Sequence, residues 1–301
     1  PKLKINAGLR WDWNGGPTDR YNAMTGTFDM IHPNPLAGQV SSAPGAENCP
    51  ACANLIGGLT FPGVNGLSRT IYDSSYLNFG PRLGVTYSPD GKTVIRGGWG
   101  LFYGPNIYDP GQAGFSQTTT SVLFDANMLP LNLIDNPFPN GLIQPTGAGK
   151  GLLTNVGTSV SFVDPAAREP RSQQMSVDIQ RELPWNILVN AGYVYNGVSR
   201  LPVSRNLNAL TPDELALGAA VLNKRVANPF AGLAPGYALN QSTITQASLL
   251  VPYPQFVGSF PGSPTGGVTE LDYSIGNSAY HGVQIQATKR FSAGLSFSVG
   301  Y

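Results

Sequence analysis

From Leu3 to Trp13 the chain alternates without a break: Leu3, Ile5, Ala7, Leu9, Trp11 and Trp13 fall on one side, and Lys4, Asn6, Gly8, Arg10 and Asp12 on the other. Successive side chains of a strand point to opposite faces, so this period of two specifies a strand with one apolar and one polar face. The pattern returns along the chain. Strands are expected over residues 3–13, 77–87, 93–104, 173–183, 187–196, 280–291 and 295–301. The second carries Leu77, Phe79, Leu83, Val85 and Tyr87 against Asn78, Gly80, Arg82, Gly84 and Thr86, with Pro81 on its apolar side. In the sixth and seventh, Val283, Ile285, Ala287 and Phe291, then Leu295, Phe297, Val299 and Tyr301, oppose polar or small residues.

The connections carry as much information as the strands. Ser88-Pro89-Asp90-Gly91-Lys92, Leu183-Pro184-Trp185-Asn186 and Ser292-Ala293-Gly294 are tight turns between alternating runs, the signature of hairpins. The intervening segments 14–76, 105–172 and 197–279 are long and rich in Gly, Pro and Asn. Short and long connections therefore alternate. Long structureless loops are uncommon in compact soluble domains, whereas outer-membrane barrels pair short periplasmic turns with long extracellular loops. Within the third long segment, Thr211-Pro212-Asp213-Glu214 opens a helix expected to run to about Arg225, with Thr as cap, Pro in the first position and acids in the first turn.

Composition agrees with this pattern. Charged residues make up 12% of the chain, about half the share in a typical soluble domain. No stretch of about 18 apolar residues exists, which excludes a transmembrane helix, so a spanning protein of this kind has to be a barrel. The expected fold is all-β: a partial transmembrane antiparallel up-and-down β-barrel, forming one domain over residues 1–301, with long extracellular loops. With tight turns on the periplasmic side, Trp11, Trp13, Tyr103, Tyr193 and Tyr195 gather at the outer rim and Tyr87 and Phe291 mark the inner one, as aromatic girdles do. Lys289 is read as the one charge on the apolar side, near enough to the inner rim to snorkel. Bacterial single-chain barrels have an even number of strands, so both ends of this chain are expected to be cuts, with any targeting segment lying upstream.

Material for chemistry is scarce. A net charge of +1 offers no basic stripe for nucleic acid. The two histidines, His32 and His281, are far apart and read as lacking acidic neighbours at ligand spacing, so no enzyme, metal or cofactor site is expected. Gly147-Ala148-Gly149-Lys150-Gly151 lacks the Ser or Thr that follows Lys in a phosphate loop and is read as a plain flexible loop. Cys49-Pro50-Ala51-Cys52 admits a redox motif, half a metal site or a loop disulfide, and an oxidising surface favours the disulfide. Lys4, Arg10, Arg82, Arg96, Gln174, Asp178, Gln284 and Arg290 face the polar interior. There they either contact a plug, line a solute path or satisfy one another in a hydrated wall. Loop aromatics, among them Tyr72, Phe115, Phe138, Phe162, Phe230, Tyr237, Tyr253 and Phe256, either hold a ligand or pack a large loop domain.

Three stretches, Leu77–Gly104 (LNFGPRLGVTYSPDGKTVIRGGWGLFYG), Pro137–Pro202 (opening PFPNGLIQPTGAGKG) and Tyr280–Tyr301 (YHGVQIQATKRFSAGLSFSVGY), resemble the barrel of TonB-dependent receptors, especially the Oar-like group. The resemblance covers most of the chain. It implies an outer-membrane barrel in contact with lipid, closed by a plug domain, with uptake of a solute energised through TonB. It supplies no ligand-residue motif. The function expected is binding and import of a bulky solute such as an oligosaccharide, peptide or chelate. The alternative is a structural or adhesion barrel without transport, and a passive porin is a third reading. An upstream plug with a TonB box would favour the first.

Overall fold

The computed structural model describes residues 2–105, 111–119, 134–139, 141–257 and 267–301, so parts of the expected long connections 105–172 and 197–279 lie outside it. In chain order the strands are β1 (Leu3–Asp12), β2 (Phe28–Pro33), β3 (Ile56–Leu59), β4 (Asn78–Tyr87), β5 (Thr93–Tyr103), β6 (Val160–Val163), β7 (Arg171–Leu183), β8 (Ile187–Asn206), β9 (Arg225–Ala227), β10 (Thr243–Thr245), β11 (Val268–Ser292) and β12 (Leu295–Gly300). One sheet runs β1-β4-β5-β7-β8-β11-β12, with β6 added beside β11. Every neighbouring pair along that path is antiparallel, and only β6 joins in parallel. The sheet is open: β1 and β12 end the path and do not pair with each other among the described residues. No helix of the described residues is long and apolar enough to cross a membrane.

The registers align the alternating runs into two continuous faces. Ile5 lies opposite Val85, Val85 opposite Gly97, Gly97 opposite Val177, Val177 opposite Tyr193, and Tyr193 opposite Val283. A slip of one residue in any pair would move that strand's apolar set to the other side. The large apolar side chains on this face are not buried: Leu9 is 69% exposed, Val283 60% and Val299 62%. Pro81 stands where the β4–β5 ladder stops, paired only with Leu9 of β1, a position that tolerates its missing N–H.

The tight turns follow from their residues. Asp90 accepts hydrogen bonds from the backbone N–H of Lys92 (2.9 Å) and of Thr93 (2.6 Å), closing the β4–β5 hairpin. Ala293 and Gly294 both have positive φ, 50° and 78°, the primed turn whose twist suits two-residue hairpins. Trp185 and Asn186 likewise adopt φ of 66° and 58°. Asn takes that region readily, whereas a bulky Trp is strained there.

Two sequence expectations need correction. The strands expected over 187–196 and 280–291 continue much further, as the 20 residues of β8 and 25 of β11. Their pairing shifts register between Glu270 and Tyr273 and around Gly276, and Arg200 and Asp272 sit at positive φ. These bulges break the alternation by which a strand is recognised. The helix expected from Thr211 to about Arg225 is two one-turn helices, Pro212–Leu215 and Ala219–Leu222. Thr211 caps the start as expected and forms a capping box with Glu214, but Gly218 at φ 76° ends the run.

The described parts of the long connections are not loose. Together they form the principal buried core of the described residues. Phe28 of the first connection stacks on Phe162 of the second (ring centroids 5.6 Å) and meets Tyr253 (4.9 Å) and Phe256 (5.6 Å) of the third edge-on. Polar side chains suture the same segments: Gln246 Nε2 donates to the Asn48 carbonyl at 2.8 Å, Gln255 Nε2 to that of Ile56 at 2.8 Å, and Asn34 Nδ2 to that of Leu152 at 3.2 Å. Gly45, at φ 93°, lets the first connection pass the Ala227 carbonyl where a Cβ would lie 2.2 Å away. Because the three segments share one core, Phe28→Ala is expected to destabilise this cap by about 3–5 kcal/mol. Hydrogen exchange should then accelerate across all three connections together while the amides of β5, β7 and β8 stay protected.

The Asp90 turn gives a pH prediction. Hydrogen bonds from the backbone N–H of Lys92, then from the Thr93 hydroxyl, hold its carboxyl below the ordinary value of 3.8. A depressed folded value means the turn's stabilisation is fully present above the ordinary carboxylate pKa and fades as pH falls through the lower folded one. The Lys92 and Thr93 amide resonances should titrate below 3.8 and lose that titration in Asp90→Asn.

Candidate functional site

The polar face is graded by side-chain size. Across the strands, Gly84 lies opposite Gly98, Gly98 opposite Ser176, Ser176 opposite Val194, and Val194 opposite Gly282. This row, small in all but Val194, is the floor of a trough running perpendicular to the strands. On its long-connection side stands the row Arg82, Gly100, Gln174, Asn196 and Tyr280. On its tight-turn side stand Lys4, Thr86, Arg96, Asp178 and Gln284, with Gly192 between the last two. An open pocket of about 440 Å³ occupies the first side, lined by Arg82, Gly98, Phe102, Gln174, Asn196 and Tyr280 among others.

The trough walls are partly ordered by their own contacts. The Arg82 guanidinium lies over the Phe102 ring, 4.7 Å from its centroid, a cation–π arrangement. Phe102 in turn folds over Gly100, where a Cβ would meet the ring at 2.8 Å. Arg96 Nη1 donates to Gln180 Oε1 at 2.9 Å and to Asp178 Oδ1 at 3.4 Å. Arg10 pairs with Asp12 at 2.7 Å, and the Ser172 hydroxyl donates to Asn196 Oδ1 at 2.8 Å. Of the polar residues expected on this face, Lys4, Arg82, Arg96, Gln174, Asp178 and Gln284 therefore flank one feature. Arg10 lies nearer the long-connection end, and Arg290 is exposed beside the turn after β11.

The cap carries the remaining candidates. Cys49 and Cys52 are joined by a disulfide with Cα atoms 5.3 Å apart, both side chains buried in the cap core. Phe162, Phe230, Tyr253 and Phe256 are buried there too, and Tyr72 packs in a second small cluster with Met24 and Val163. Phe115 meets Phe61 edge-on at 5.7 Å. Tyr237 is exposed and Phe138 half-buried. Gly147–Gly151, expected as a flexible loop, is a run of hydrogen-bonded turns: Gly147 N–H donates to Gly114, Gly149 to Thr146, and Gly151 to Ala148. Lys150 lies at a second pocket of about 230 Å³ between the three connections, with Leu36, Asn155, Val156 and Tyr237 among its lining. His32 does have an acidic neighbour, contrary to expectation: its Nδ1 lies 2.6 Å from Asp29 Oδ2. Burial raises the Asp29 pKa, but hydrogen bonds from the His32 and Ile31 backbone and from the His32 ring outweigh it and leave the value lowered. No group of three or more His, Cys, Asp or Glu side chains able to hold a metal occurs among the described residues.

An antiparallel meander with one apolar face, one polar face and connections that alternate tight and long has the pattern of a membrane β-barrel wall. The family described as outer membrane beta barrel domain matches residues 1–301, and the chain belongs to it. That family places the protein in the outer membrane of a Gram-negative cell. No curated protein matches the chain. Among solved structures, it is similar to a double mutant of the Serratia marcescens hemophore receptor HasR in complex with its hemophore HasA and heme, at 10% identity and a TM-score of 0.30. That likeness covers 95% of this chain and 27% of the receptor chain.

With lipid on the apolar face, its charges become informative. Lys289 is half-turned out of it: its Nζ donates to the Trp185 carbonyl at 2.9 Å and to the Ser292 hydroxyl at 2.7 Å, both in tight turns. It is not the one charge there. Arg181 follows Met175, Val177 and Ile179 on the same side, and its guanidinium reaches the Thr93 hydroxyl at 3.3 Å. Both cations belong to the tight-turn end, where a polar boundary lies within reach of a long side chain. Val177 sits in the middle of β7, so Val177→Arg is expected to cost about 2–4 kcal/mol. Ser176→Arg, one residue away on the wet face, should change folding into vesicles far less; urea titration of the two variants measures the difference.

Proposed function

We propose that the chain is a wall segment of an outer-membrane receptor-transporter of the TonB-dependent type. It captures a bulky solute at its extracellular cap and passes it along the polar inner face. The observation that carries this reading is the cap itself. Three connections separated along the chain share one aromatic core around Phe28 and leave a pocket of about 230 Å³ between them. Long surface loops with ends tied to a scaffold and interiors packed by their own side chains are where binding residues concentrate. The likeness of Leu77–Gly104, Pro137–Pro202 and Tyr280–Tyr301 to Oar-like receptors supports coupling through a plug domain and TonB. In this reading the long connections are extracellular, the tight turns periplasmic, and the protein acts without catalysis.

The test is a deletion strain complemented with the full gene. Uptake across a panel of oligosaccharides, peptides and metal chelates is measured with and without a protonophore. One solute class should lose uptake on deletion and on collapse of the proton gradient. Unchanged uptake across the panel, together with lost surface adhesion, would replace the transporter by an adhesion barrel.

A further inference from the structure

We infer that the trough on the polar face is a binding site for an oligosaccharide chain lying across the strands. This rests on the receptor reading above and names the solute class. The trough crosses β4, β5, β7, β8 and β11, a run of roughly 19 Å at the usual strand spacing, long enough for several sugar units in line. Its floor leaves room for a ligand to lie close to the backbone over Gly84, Gly98 and Ser176, while Val194 and the Tyr280 ring close over Gly282 at its far end.

The lining selects the class. Sugar hydroxyls both donate and accept, and the Gln174, Asn196 and Gln284 amides offer both functions along the two walls. Tyr280, 59% exposed, stands at one end of the pocketed side, and the apolar face of a pyranose ring packs on such a ring as other amphipathic surfaces do. The Arg82 guanidinium lies over Phe102 at the edge of the pocket, where it brings N–H donors to the lining. Arg96 is held by Asp178 and Gln180, so the far wall presents a balanced pair rather than a bare charge. An extended peptide fits less well. Its own N–H and C=O groups need partners, and the backbone of the floor has spent its groups in the sheet ladders.

The full-length protein in detergent is titrated calorimetrically with a ladder of neutral hexose oligomers, from disaccharide to hexasaccharide, and with an uncharged peptide of matched length. Affinity should rise with each sugar unit and level off once the trough is spanned, with the peptide silent. Tyr280→Ala and Gln174→Ala should each weaken the longest oligomer by about tenfold. Gly98→Leu, which fills the floor, should abolish binding while heat-modifiable migration shows the barrel folded. Absent sugar binding, peptide binding in its place, or variants without effect would each overturn the inference. Uptake assays separate the two readings. Proton-gradient-dependent uptake of another solute that persists in Gly98→Leu cells would end the sugar trough and leave the receptor standing. Sugar binding in vitro without any such uptake would do the reverse.

Discussion

Backbone hydrogen bonding is the constraint on which everything else here depends. A chain crossing hydrocarbon has no water to satisfy its N–H and C=O groups, so each must find a partner within the protein. The sheet answers this with antiparallel ladders at every internal boundary of its path. Once the ladders are fixed, the side chains have only two directions to point. Apolar residues such as Leu9, Val177 and Val283 then stay exposed without penalty, because what they meet is lipid rather than water. The absence of a dry core beneath the spanning sheet among the described residues follows from the same logic.

Stability in the usual sense is relocated to one end of the sheet. The cap buries Phe28, Phe162, Phe230 and Phe256 almost completely and is tied to the sheet where β6 pairs with the start of β11. Water bathes this region, so the hydrophobic effect operates in full there. The molecule thus uses two different solvents to hold two halves together. The tight-turn end is simpler: Asp90, Asn186 and Gly294 set the turns, and Lys289 clamps one of them through the Trp185 carbonyl.

Much of the spanning sheet was legible in the sequence, because period two is a local signal. The seven alternating runs correspond to the seven strands of the sheet path, and six of the eight polar residues read off them, all but Arg10 and Arg290, flank one trough. What escaped is non-local or irregular. The extensions of β8 and β11 run through bulges near Gly276 and positive φ at Arg200 and Asp272, which erase the alternation. Arg181 sits among the apolar positions of its run, between Ile179 and Leu183. That the loop aromatics pack a loop domain was one of the two readings open to the sequence, and the core bears it out for Phe162, Phe230, Tyr253 and Phe256; the pairing of Phe28 with Phe162 and Phe256 was not legible, since nothing near Phe28 in the sequence announces either. The floor of the trough was visible only as scattered glycines until registers aligned them.

The claim that one face of this sheet meets lipid and the other water is tested most directly by nitroxide scanning along β7. Single cysteines at residues 174–180 of the full-length protein in vesicles are spin-labelled, and collision rates with oxygen and with a water-soluble nickel chelate are compared. The account predicts oxygen maxima at Met175, Val177 and Ile179 and chelate maxima at Gln174, Ser176, Asp178 and Gln180. Low accessibility to both reagents at the three apolar positions would mean a dry, sandwiched sheet and would contradict it.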